Sequence, residues 1–155
     1  MSGGRLIVFV DRSGGVYALI AVEEGRLDRL AARLTWVEHF KKLRRREKKG
    51  YIRAFPRRLR AVRGLLAHAR VFNELETLKR FLWRIAGRVK VLCLDDSVYG
   101  ALAGFLREYS GATVVRESKI SGQLRRPMLL TDSLANYGRL MLQRGRPEKI
   151  EEITR

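Results

Sequence analysis

Two short apolar runs separated by a glycine pair constrain this chain more than any other feature. Arg5–Val10 and Val16–Val22 are rich in β-branched and apolar residues, and Asp11-Arg12-Ser13-Gly14-Gly15 lies between them. Glycine at the joint supplies the backbone freedom a tight turn needs, so the runs fold back on each other as a β-hairpin. Whatever follows must extend that sheet or cover it. The first run also ends on a carboxylate. Asp11 is therefore either the opening residue of the turn, since Asp before Ser-Gly is good turn chemistry, or a ligand held at a sheet edge.

Beyond Gly25 the period changes. Leu27, Leu30, Ala31, Leu34, Val37, Phe40 and Leu43 recur at threes and fours, which predicts an amphipathic helix to about Lys49, ended by Gly50. Pro56 suits the first turn of a second helix with Leu59, Val62, Leu66 and Ala69 on its apolar side. Asn73 and Glu76 have capping-box spacing and open a helix to Ala86. Val89–Leu94 reads as a central strand, 97–109 as a helix and Ala112–Val115 as another strand. A polar loop over 116–126, with Ser118, Lys119, Ser121, Arg125 and Arg126, leads through Pro127 to a last helix over about 132–143. The charged tail from 145 to 155 is expected to be flexible. This is one α/β domain over 1–155: a mixed sheet starting with a hairpin, with a basic helical insertion at about 26–70.

Charge narrows the partners. The 155 residues carry 33 Lys and Arg against 16 Asp and Glu, a net +17. Lys41, Lys42, Arg44, Arg45, Arg46, Lys48, Lys49, Arg53, Arg57, Arg58, Arg60 and Arg63 stand against Glu47 alone, so +11 of the +17 lies within 41–63. Such a block matches a phosphate backbone, because each neutralised phosphate releases a counterion. Tyr51 and Phe55 interleave with it and either stack on bases or anchor the helix to the core; Trp36 and Trp83 read as core or interface. RNA, DNA and hybrids all fit this block. No apolar run reaches the roughly 20 residues a bilayer span needs, and no secretory segment is visible. Cys93 is alone, so neither a disulfide framework nor a cysteine metal site follows. The expected setting is cytoplasmic, with no membrane partner. Scarce Asn, Gln and Cys beside abundant Arg point to a thermophile.

The acids are few, and their positions carry chemistry. Asp11 follows the first strand and Asp95-Asp96 the central one; Glu117 follows the third core strand, and Asp132 sits at the last helix. Parallel strands present their carboxyl ends along one edge, where α/β sheets place their sites. Carboxylates converging there suit Mg²⁺ or Mn²⁺, hard cations that take oxygen ligands, and two such ions support phosphoryl transfer. Simpler roles stand beside this one. Of Asp95 and Asp96, one is free to cap the following helix and the other to bind; Asp132 is also a reasonable helix cap, although Thr131 can serve there. His39 and His68 fall on the basic helices, away from these acids.

FVDRSGGVYALIAV, NELETLKRFL and VLCLDDSVYGAL together resemble the ribonuclease H-like (retroviral-integrase) superfamily, and SKISGQLRRPMLLTDSLANYGRLM is similar to the ending of an archaeal-type branch of it. The resemblance implies a ribonuclease H-like sheet and metal-binding, catalytic carboxylates at Asp11, Asp95 or Asp96, and Asp132, with Glu74 or Glu76 at the helix position. Arg12 stands where those families often have Glu, and the superfamily's third strand is not visible in 27–43, which reads as helix. The function implied is a metal-dependent nuclease or related phosphoryl-transfer enzyme; the alternative is a non-catalytic RNA- or DNA-binding protein using the 41–63 block on the same scaffold.

Overall fold

The computed structural model describes residues 4–109 and 111–155. Its centre is a five-stranded mixed sheet in the order β3-β2-β1-β4-β5. β1 (Leu6–Ser13) and β2 (Val16–Glu23) form the expected hairpin, but both strands reach further than the apolar runs alone suggest. Asp11 pairs with Ala18 inside the ladder, and the turn is Gly14-Gly15 alone. Gly14 has φ 59°, a conformation in which a Cβ would be strained, so glycine is required at the first loop position.

β3 (His68–Phe72) pairs antiparallel with β2, while β4 (Val89–Leu94) and β5 (Thr113–Arg116) continue from β1 in parallel. β3 corrects the expectation that 56–69 is all helix. The residues that suggested a helical face, Leu66 and Ala69, are indeed buried, but Ala69 already belongs to the strand and is in sheet register with Ile20. Apolar residues three apart fit either state over so short a run. The third strand thus lies well past 27–43, at the end of the insertion.

One sheet face is covered by α6 (Arg125–Gln143), with α1 (Leu27–Arg33), α2 (Arg45–Val62) and α7 (Glu148–Thr154) packed around it. The other face is covered by α3 (Leu75–Ile85), α4 (Asp96–Ala101) and α5 (Ala103–Leu106). Strand side chains alternate between the two cores: Ile7 and Phe9 face α6, whereas Leu6, Val8 and Val10 face α3.

The basic insertion differs from its expected form. α2 runs unbroken through Gly50 and Pro56. Proline costs a helix interior about 3 kcal/mol, but Tyr51, Ile52, Phe55, Leu59 and Val62 are all buried on one side of it. At about 1.5–3 kcal/mol per fully buried apolar side chain, that packing outweighs the proline. Conversely, the long helix expected to Lys49 stops at Arg33. Leu34, Val37 and Phe40 are buried as the periodicity suggests, yet the chain there is irregular.

Three smaller expectations also change. α3 starts after Glu74, and its first turn is tied by Thr77 Oγ1 to the Glu74 carbonyl (2.8 Å), not by a box from Asn73. Residues 97–109 make two short helices. The 145–155 tail is ordered into α7, with Ile153 buried.

Candidate metal centre

Register brings the acids together. Phe9 is opposite Cys93, and Cys93 opposite Val115, so three side chains form one row on the α6-facing side of β1, β4 and β5. Two residues further along each strand direction, on the same face, come Asp11, Asp95 and Glu117. The Asp95 N–H donates to the Val10 carbonyl (3.0 Å) and keeps the backbones in step there. One oxygen from each of the three carboxylates lies within 4.8 Å of the others. An in-phase apolar row followed by an in-phase acidic row is what period-two alternation produces when three parallel strands run in register, here to the ends of β4 and β5 while β1 continues to Ser13.

Asp132 reaches the same region from α6. It is a mid-helix residue, since α6 begins at Arg125, so the cap role considered for it does not apply. Its Oδ2 accepts from the Phe40 N–H (3.0 Å) and its Oδ1 from Asn136 Nδ2 (3.3 Å). The first bond uses an N–H that a continuous helix would commit to the carbonyl four residues back, and here it holds Asp132. Asn136 accepts in turn from Ser13 Oγ (2.8 Å) and Arg139 Nη2 (3.1 Å), and Arg139 Nε donates to Ser13 Oγ (2.6 Å). This buried network ties the hairpin end of β1 to α6 one turn and two turns beyond Asp132.

The electrostatics follow from this crowding. Asp11 is only 4% exposed. Burial, then the neighbouring Asp132 and Asp95 charges, push its carboxyl up to about 9. Glu117 is raised to about 7 by burial, by a hydrogen bond shared with Asp95 and by the Asp95 charge. Burial also raises Asp132, against the Phe40 N–H that favours its anion. Asp95 is the exception. Burial acts upward on it, but hydrogen bonds from Ser97 and Glu117 prevail and hold it low. Asp95 Oδ2 accepts from the Ser97 N–H (3.0 Å), so it caps α4 while belonging to the acidic row.

The tandem Asp95-Asp96 is thereby resolved, and not as a division of labour. Asp95 both caps and joins the cluster. Asp96 is directed outward, half-exposed and paired with Arg116 (3.4 Å), which removes it from the expected ligands and catalytic residues. Glu74 and Glu76 open α3 on the opposite sheet face, away from the row. Arg12 alternates away from Asp11 and lies over the Tyr17 ring at 5.5 Å, so an acid at position 12 would also point away from the row.

His39 departs from the expectation of distance from the acids. It shares a small cavity of about 40 Å³ with Glu117, Arg125 and Met128, and its Nδ1 is buried with no hydrogen-bond partner among the described residues. Its charge, when present, favours the Asp132 anion. His39 was not legible as a site residue, because its approach depends on the irregular path of 34–44; Asn136 stands one helical turn past Asp132 in the sequence, but its link to Ser13 depends on the docking of α6. Glu117 was visible at a strand end, but nothing in the sequence ranked it above the other acids.

No protein-family model, curated protein or solved structure matches this chain. The site must therefore be read from its own chemistry. Its donors are all carboxylate oxygens, the set that hard divalent cations take. Three to four acids crowded in a largely buried site repel one another, and a divalent cation would relieve that repulsion directly. The Asp11, Asp95 and Glu117 carboxylates could together hold a metal ion. The described residues include no helix long and apolar enough to cross a membrane.

The basic block is partly committed to the fold. Arg58 lies over Trp36 at 5.1 Å and Lys48 over Phe40 at 5.3 Å. Arg63 donates to the Leu66 (3.0 Å) and Thr154 (3.3 Å) carbonyls, so it braces α2 against α7 and is not a free surface cation. Tyr51 is buried in a relay: the Glu38 N–H donates to its hydroxyl, which bonds Ser133 Oγ at 2.7 Å, and Ser133 donates to the Leu129 carbonyl. Tyr51 and Phe55 anchor α2 and are not available to stack on bases. Lys41, Lys42, Arg44, Arg45, Arg46, Lys49, Arg53, Arg57 and Arg60 remain exposed.

Proposed function

We propose that this chain is a divalent-cation-dependent nuclease, or a closely related phosphoryl-transfer enzyme, built on a ribonuclease H-like plan. The observation that carries the reading is the in-register row Asp11–Asp95–Glu117 at the carboxyl ends of three parallel-running strands, with Asp132 beside it. The strand order β3-β2-β1-β4-β5, with an antiparallel hairpin joined to a parallel half, supports the same plan. The exposed cations of 41–60 supply a surface for a phosphate backbone.

Mg²⁺ or Mn²⁺ bound at the row would supply an activated water at neutral pH and offset charge on the scissile phosphate. Asp11, Asp95 and Glu117 would hold it. Asp95 is presented as an anion by its Ser97 bonds. Burial raises Asp11 to about 9 and Glu117 to about 7, so a cation held there would have to displace protons from them. Asp132, fixed by the Phe40 N–H and Asn136, would add a further carboxylate from the helix side.

The test is cleavage of end-labelled RNA, DNA and hybrid strands in Mg²⁺ or Mn²⁺, comparing wild type with Asp11→Asn and Asp132→Asn. Cleavage that needs the metal and drops by about 100-fold or more in each variant is expected, the size of removing one electrostatic stabiliser of the transition state. Activity in chelator, or full activity in both variants, would refute the mechanism. Tight binding without cleavage would leave a nucleic-acid-binding scaffold.

A further inference from the structure

A second feature lies away from the carboxylates. It is a groove of about 540 Å³ between α2 and the corner where α6 meets α7. Lys49, Arg53 and Arg60 project from one wall, and Arg144, Arg146 and Lys149 from the other. Ile52, Pro56 and Met141 contribute apolar surface between them. Arg146 is paired with Glu148 (2.8 Å) and Lys149 with Glu152 (3.8 Å), but Lys49, Arg53, Arg60 and Arg144 form no ion pair among the described residues. A second groove, of about 240 Å³, shares Lys49, Ile52 and Arg144 with the first and extends to Phe40 and Arg139. Phe40 holds Asp132 through its N–H, and Arg139 holds the Ser13–Asn136 network beside it. The cationic track therefore ends against the structural supports of the acidic row.

We propose that this two-walled groove binds a single nucleic-acid strand and leads it toward the carboxylate row, with Arg144 and the α6–α7 corner as its second wall. The inference rests on the nucleic-acid reading above. Charge complementarity commits the occupant to a polyanion. The shape then selects among polyanions: unpaired cations on facing walls address one phosphate row from two sides. A duplex carries its phosphates on the outside of a cylinder whose major groove alone is about 12 Å wide, and it would meet only the rim. Apolar surface between the walls suits the sugars and bases of a strand whose bases are not paired.

The experiment is fluorescence anisotropy in chelator with a labelled single-stranded oligonucleotide, the matching duplex, and wild type beside Arg60→Ala/Arg144→Ala and Arg46→Ala/Arg57→Ala. Both double variants are checked by circular dichroism. The single strand should bind more tightly than the duplex. Arg60→Ala/Arg144→Ala should weaken it about 10-fold and reduce the salt slope by about 1.4, about 0.7 for each phosphate no longer neutralised. Arg46→Ala/Arg57→Ala, exposed on α2 and lining neither groove, should cost less. Equal binding of strand and duplex, with Arg46→Ala/Arg57→Ala the more damaging pair, would overturn the groove while leaving the nucleic-acid reading intact. No binding of either oligonucleotide, with capture instead by vesicles of anionic lipid, would overturn both.

Discussion

Asp11→Asn should make the metal-free protein more stable, although it removes a residue proposed to be essential. The carboxyl of Asp11 is raised from 3.8 to about 9, mainly by burial and then by Asp132 and Asp95. A carboxyl whose folded value lies above its unfolded value contributes stability that is complete below about pH 3.8 and is lost progressively as pH rises to about 9. At pH 7 the interval above 3.8 is about 3 units, and at 1.36 kcal/mol each the ceiling on the penalty is about 4 kcal/mol. Relaxation and water penetration reduce such penalties, so a gain of about 2 kcal/mol is the working expectation. For a chain of this size that is a rise in Tm of about 4–8 °C. Asparagine keeps the oxygen that accepts the Arg12 N–H (2.7 Å). The assay is thermal unfolding in chelator and in Mn²⁺ across pH 5–9. Wild type should lose stability with rising pH in chelator and regain about 2.7 kcal/mol when the cation stands at 100 times its Kd, whereas Asp11→Asn should be flatter and respond little. If Asp11→Asn is less stable than wild type at pH 7 in chelator, or Mn²⁺ stabilises both equally, the electrostatic account of the row is wrong.

Other expectations follow from individual side chains. Asp95→Asn should weaken Mn²⁺ binding by calorimetry by about 10-fold or more, the scale of losing a charged ligand, whereas Asp96→Asn should leave it unchanged because Asp96 pairs with Arg116. Phe55→Ala should cost about 3–5 kcal/mol in urea unfolding, since Phe55 is fully buried on the helix that carries Pro56; a loss below about 1 kcal/mol would mean packing is not what holds that helix together. Gly138→Val should destabilise by about 1–3 kcal/mol, because a Cβ there would meet Val71 Cγ1 at 3.0 Å where α6 crosses the sheet; an unchanged Tm would show that crossing to be loose.

How much of this was legible in the sequence depends on what local rules can see. The hairpin and β4 were readable because two β-branched runs and a glycine pair leave little alternative. That Asp11, Asp95 and Glu117 each follow a strand was also readable. Their convergence was not, because it depends on the register of Phe9, Cys93 and Val115 across three strands distant in sequence. The choice between Asp95 and Asp96 needed the alternation carried past the strand end. β3 was hidden because five residues at the end of a basic helix carry no clear period. Gly50 and Pro56 misled for the opposite reason: they are strong local stop signals, overridden by a buried face that continues on both sides of them. The turn reading of Asp11 and the cap reading of Asp132 failed on element boundaries, since both residues lie within their strand or helix.

The most direct test of the central claim is anomalous diffraction from crystals soaked in Mn²⁺. The account predicts a peak bridged by oxygens of Asp11, Asp95 and Glu117, with Asp132 on the α6 side still held by Phe40 and Asn136. A row that stays empty at saturating Mn²⁺, or a peak at Asp96 and Arg116 instead, would contradict it.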